Sequence, residues 1–170
     1  MGLLPLREKV ANGRMRGAKS YRAESHPMPF AERLLVIAML GQILWTFYVS
    51  FMAGRARFKA AARKEIKGDI SLDMTAMPDY ARKAGNNMNN QFETPTLFYA
   101  LVLLAIVLHL SSLVLAVLAF IYLASRIAHT IVHTTSNVVM TRARVFFVGF
   151  GALIAMTAVI ILDLLTGSII

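Results

Sequence analysis

The sequence predicts an all-α membrane protein folded as a four-transmembrane-helix bundle. Three observations carry that prediction. Hydrophobic residues make up 57% of the 170 positions and charged residues only 16%, whereas a soluble domain is nearer half apolar and a quarter charged. The mean hydropathy is +0.60, and the apolar residues gather in long runs. Fifteen of the 18 Lys and Arg residues lie in 1–33 and 55–83, beside those runs and outside them. A formal net charge of +9 placed in this way fits anionic lipid headgroups and not a nucleic acid partner. There are no cysteines, which excludes disulfides, cysteine-ligated metals and a protein thiol nucleophile. Any thiol chemistry must use a thiol carried by a small molecule.

Residues 1–29 are basic, aperiodic and rich in Gly, Ser and Pro, which predicts a mobile N-terminal tail ahead of a membrane domain over 30–170. Met28 lies two residues before the first apolar run, so translation starting there is an alternative that mass spectrometry of the mature N-terminus decides. The first span is expected over 30–53. It is free of charge from Leu34 onward and has the ~20 residues needed to cross ~30 Å of hydrocarbon. It ends on Arg55, Arg57 and Lys59, a stop-transfer pattern and not a signal-peptide cleavage site. Good helix formers carry the same helix on toward Gly68. Pro78 and Asp79 then predict a new helix start, with Asp79 as cap.

That helix is expected from Tyr80 to Leu110, interrupted near the membrane interface by Pro95, with its membrane part at about 95–110. Ser111-Ser112 allows only a tight turn before a third span at about 113–133. A polar loop over 134–143 precedes a fourth span at about 145–165. Four spans put the basic connector and the 134–144 loop on one side, and the positive-inside rule assigns that side to the cytoplasm.

This topology gathers the polar residues at one end of the bundle. Asn86, Asn90 and Glu93 are spaced four and three apart, as residues sharing a helix face are, and so are Arg126, His129, His133 and Asn137. Arg142 and Arg144 precede the fourth span. Ionisable groups inside a membrane are functional more often than not. The alternative is that Arg126 and Glu93 neutralise each other while the asparagines join the helices by hydrogen bonds. Gln42 and Gly41 read as packing contacts, Trp45 and Tyr48 as fillers of gaps between helices. His109 and Asp163 belong to the opposite end. His129 and His133 have the i, i+4 spacing of a metal-chelating pair, but no HExxH glutamate lies between them, so a metal is not expected.

With these residues in hand, the chain resembles the MAPEG family, the membrane-associated proteins of eicosanoid and glutathione metabolism. N-x-x-E is here Asn90-Gln91-Phe92-Glu93, leading into Pro95 and Leu97-Phe98-Tyr99. The third-span pattern R-I-x-H-T-I is Arg126-Ile127-Ala128-His129-Thr130-Ile131, and Arg142 stands ahead of Phe146-Phe147-Val148-Gly149-Phe150-Gly151. The resemblance covers about residues 30–165. It implies a homotrimer that binds glutathione as co-substrate near the cytoplasmic side. Arg142 would favour the thiolate, the nucleophilic form, with Arg144 as a close competitor. Asn90, Glu93, Arg126 and His129 would complete the glutathione site. Ala84-Gly85 stand where members with transferase activity carry an arginine, and His133 where they carry an aromatic hydroxyl.

The leading functional expectation is therefore a glutathione-dependent transferase or peroxidase acting on a lipophilic electrophile that enters from the bilayer. The alternatives are a non-catalytic lipid-binding or scaffold protein with a structural polar cluster, and a metal-dependent membrane enzyme.

Overall fold

The computed structural model describes residues 27–70 and 74–167. Its α-helices are α1 (Phe30–Ala62), α2 (Asp79–Asn89), α3 (Thr94–Val107), α4 (Leu113–Thr134) and α5 (Val139–Thr166), with a short 3₁₀ turn at Met74–Ala76 before α2. There is no strand among the described residues. Four helical stretches, Phe30–Ala62, Asp79–Val107, Leu113–Thr134 and Val139–Thr166, are long and apolar enough to cross a membrane. The expected tail over 1–29 falls almost wholly outside the described residues.

The apolar core is built as membrane bundles are, from large side chains set against small ones. Leu35, Phe98, Leu115, Tyr122 and Met156 are buried together with Ala38, Ala105, Ala116, Ala119 and Ala152. Two glycines give room to side chains of α4. A Cβ on Gly41 would come within 2.9 Å of Leu123 Cδ2, the end of a side chain that can shift, whereas one on Gly149 would overlap Ser125, so Gly149 sets how closely α5 packs on α4. Outward-facing Leu44, Phe47, Val107, Val117, Phe147 and Ile154 are all more than half exposed. An apolar surface of this extent requires hydrocarbon around it, because lipid and not water is its favourable neighbour.

Several boundaries differ from the sequence expectations. Asp79 is not the cap of α2: Pro78 holds that position, no side chain caps the end, and the Asp79 carboxylate instead accepts from Arg82 at 2.7 Å. α1 ends at Ala62, and Lys64 takes a left-handed conformation (φ 54°) well before Gly68. The helix of the fourth span, α5, starts at Val139, inside what reads as a polar loop, so Arg142 and Arg144 belong to its first turns. Trp45 does bridge two helices, but Tyr48 stacks on it at 5.1 Å from the outside and is 53% exposed.

The largest difference is in the second span. It is two helices, α2 and α3, separated at Asn90–Glu93. Pro95 has no N–H and its ring would clash with the carbonyl four residues earlier, so one helix cannot run through this stretch. The chain instead restarts at Thr94, which leaves Pro95 in the first turn of α3, where a missing N–H does no harm.

Candidate functional site

Non-helical backbone at membrane depth survives only where its polar groups are satisfied by protein or by a water-filled cavity. At the α2–α3 break both conditions are met. Gln91 N donates to Met88 O and Phe92 N to Asn89 O, each at 2.9 Å. Thr96 caps the Glu93 carbonyl through its N–H (3.2 Å) and its hydroxyl (2.6 Å). The Asn90 carbonyl, freed by the break, accepts from Arg126 Nη2 at 2.8 Å.

The side chain of Gln91 turns inward and is part of a buried polar network. Gln42 Nε2 donates to Gln91 Oε1 (3.1 Å), and Gln91 Nε2 donates to Thr130 Oγ1 (3.4 Å). Trp45 Nε1 also donates to Thr130 Oγ1 (3.3 Å), and that hydroxyl donates to Asn87 Oδ1 (3.3 Å). α1, α2, the break and α4 are thus tied at one depth. Gln42, 0% exposed, is more than the packing contact its position suggests. An amide in the middle of an otherwise uncharged span needs a polar partner, and that is the signal by which sequence alone points to this network.

Outside the network the break opens onto a cavity of about 470 Å³, within the ~300–1,000 Å³ usual for small-molecule sites. One wall carries Asn86, Asn89, Asn90 and Glu93. His129 and His133 of α4 and Val139, Arg142, Ala143 and Phe146 of α5 complete it. Asn90, Glu93, His129 and Arg142 therefore meet in one space. Arg126 stands behind that wall, 2% exposed, holding the Asn90 carbonyl while its Nε has no hydrogen-bond partner. Arg144 is exposed and is not among the lining residues. His133, left outside the expected site, lines the cavity beside His129, the two rings edge to face at 5.6 Å.

Two expected alignments do not form. Asn86, Asn90 and Glu93 do not share a helix face, because α2 ends before Asn90, and the turn itself brings them to one wall. Asn137 lies beyond the end of α4 in the left-handed region (φ 49°), a conformation asparagine tolerates. From there its Oδ1 accepts from Arg142 Nη1 at 2.9 Å and orients that guanidinium.

The Arg126–Glu93 ion pair of the alternative reading is not formed. Arg63–Glu65 and Arg82–Asp79 are ion pairs that do form. The cavity thus presents a carboxylate and amides on one wall and a guanidinium on the other. Val138 gives α5 no side-chain cap, so the positive end of that helix adds to Arg142. Such a site suits a zwitterionic ligand carrying a group that ionises negatively near Arg142. Among the described residues no group of three or more His, Cys, Asp or Glu could hold a metal ion.

An apolar groove of about 270 Å³ lies further along α3 and α5, lined by Leu97, Leu101, Leu104, Phe150, Ile154 and Thr157 among others. Phe146 of the polar cavity stacks on Phe150 of the groove at 6.0 Å, so the two adjoin.

No curated protein and no solved structure matches the chain. The family model that does match is that of the MAPEG family, over residues 35–162, and the chain, with its four apolar helices and its N-x-x-E segment at the rim of a polar cavity, belongs to that family.

Proposed function

We propose that the protein is a glutathione-dependent membrane transferase or peroxidase acting on lipophilic electrophiles. The observation that carries this reading is the single cavity in which Glu93, Asn90 and Arg142 face one space, next to an apolar groove. Glutathione has an amino group, two carboxylates and a thiol. Glu93 accepts from the amino group, and Asn90 and His129 supply neutral hydrogen bonds. Arg142, oriented by Asn137, stabilises the thiolate against the thiol. Arg126 supports the site from behind its wall by holding the Asn90 carbonyl. A lipophilic co-substrate would lie in the groove between α3 and α5 with its electrophilic carbon or peroxide oxygen toward Phe146. The sulfur attacks that atom, the leaving group departs with the electron pair, and the proton already released from the thiol stays in solvent. The assembly is taken as a homotrimer, with a neighbouring chain closing the exposed side near Asn86 and Asn89, and the basic loops are taken as cytoplasmic.

Calorimetric titration of the detergent-solubilised protein with glutathione tests the reading. Saturable binding in the millimolar range or tighter, weakened about tenfold by Glu93→Gln, is expected for one charge-assisted hydrogen bond lost. No heat of binding at millimolar glutathione would leave the scaffold alternative, in which the polar residues only join helices.

A further inference from the structure

α1 is longer than a membrane is thick. Its 33 residues span about 50 Å at ~1.5 Å each, against ~30 Å of hydrocarbon. The charge-free run Leu34–Ala53 fills the hydrocarbon. Gly54 to Ala61 therefore stand in the next ~10 Å, the headgroup layer. A second cavity opens there, about 450 Å³, between Gly54, Arg57, Phe58 and Ala61 of α1 and the returning chain at Ile66 and Met77.

The described residues of its walls are apolar except for Arg57. Among the described residues, Arg57 Nε is closed off from solvent without a hydrogen-bond partner, and no acidic one lines the space. A guanidinium donor withdrawn from water without an acceptor is unfavourable until an anionic oxygen meets it. The neighbouring cations leave the surroundings strongly positive. Arg55 lies over the Phe51 ring at 5.6 Å and Lys59 over the Tyr80 ring at 5.1 Å, contacts that keep their charge. Phe58 is 79% exposed at the rim, where an aromatic ring belongs at a membrane interface.

We propose that this cavity binds one anionic phospholipid, its phosphate received by Arg57 and the first carbons of an acyl chain laid past Phe58 and Gly54 toward the hydrocarbon. A free phosphate would use the cation and leave the apolar walls bare. A second copy of the same surface would set cations against cations. The bilayer supplies an amphiphile of the right charge at the right depth, concentrated by the surrounding basic residues. The site shares no residue with the cavity at the α2–α3 break, and its test does not depend on what that cavity binds.

Native mass spectrometry of the delipidated full chain, titrated with phosphatidylglycerol, phosphatidylcholine and inorganic phosphate, reads the site directly. One phosphatidylglycerol per chain is expected to be held in preference to phosphatidylcholine. Arg57→Gln should weaken it about thirtyfold, as for a buried charge-assisted contact. Lys64→Gln, which removes an equal charge outside the cavity, should weaken it no more than about fivefold. Equal losses in the two variants, or equal retention of the two lipids, would reduce the effect to diffuse attraction and overturn the proposal. Displacement of the lipid by millimolar inorganic phosphate would overturn it in favour of a free anion. In vesicles, a photoreactive benzoylphenylalanine at position 58 should yield an adduct of lipid mass. An adduct to residues 1–26 or to a second copy would name a different occupant and overturn it.

Discussion

The two halves of the bundle are held together by different physics. Leu35, Leu115, Ala119, Met156 and Ile160 belong to one apolar core, and the helices there approach through alanine. Around Gln42, Asn87, Gln91, Arg126 and Thr130 the buried groups are polar, four of them linked through hydrogen bonds of 3.1–3.4 Å. Lipid competes little for a hydrogen bond, yet interhelical ones in membranes contribute only ~0.6 kcal/mol each on average. The polar half is therefore costly to assemble for what it adds to stability. What it does achieve is position: it fixes a broken helix so that Asn90 and Glu93 face Arg142. The apolar half holds the fold, and the polar half aims it.

That contrast is open to mutation. The largest effect is expected from Arg126→Leu, which leaves the Asn90 carbonyl without its donor inside the protein. A loss of about 2–3 kcal/mol, read from unfolding in mixed micelles, should accompany weakened glutathione binding. Unchanged stability would mean that Arg126 does not hold the break. Next comes Gly149→Ala, where a Cβ meets Ser125 and α4 must move from α5 at about 1–2 kcal/mol. Gly151→Ala, with open space around its Cβ, should be neutral or stabilising by up to ~1 kcal/mol, so similar melting shifts in the two would discard the close-approach account. Gln91→Leu should cost only about 1 kcal/mol, while weakening glutathione binding more than that stability change explains. Ile160→Val in the apolar half should lower stability by a comparable amount, roughly 0.5–1.5 kcal/mol, and have the smallest effect on binding, leaving it untouched. A binding defect there would erase the division between the halves.

Much of the apolar half was legible in the sequence, because uncharged runs ending on Arg55 or on Ser111-Ser112 can only be spans and their ends. The polar half was legible in its composition but not in its geometry. Placing the interruption at Pro95 itself, and not ahead of it at Asn90–Glu93, put Asn86, Asn90 and Glu93 on a common helix face. The residues meet at one wall because a turn, and not a helical repeat, collects them. Arg142 and Arg144 read as loop residues because Thr141 to Arg144 is polar, yet a helix start tolerates exposed charge, and α5 begins ahead of them at Val139. Only three-dimensional placement separates the two: Arg142 faces the cavity and accepts orientation from Asn137, whereas Arg144 points elsewhere than the lining. The partnership of Gln42 with Gln91, 49 positions apart, has no local signature beyond the rarity of an amide in an apolar span.

The central claim is that the polar half aims a cation at a bound thiol. Titrating glutathione into the protein across a pH series, with thiolate absorbance as the readout, tests it most directly. The bound thiol should ionise below the ~8.5 of a free cysteine, giving thiolate at neutral pH that Arg142→Ala removes while some glutathione stays bound. Thiolate absorbance that is absent in the wild type, or identical in the Arg142→Ala protein, would contradict the account.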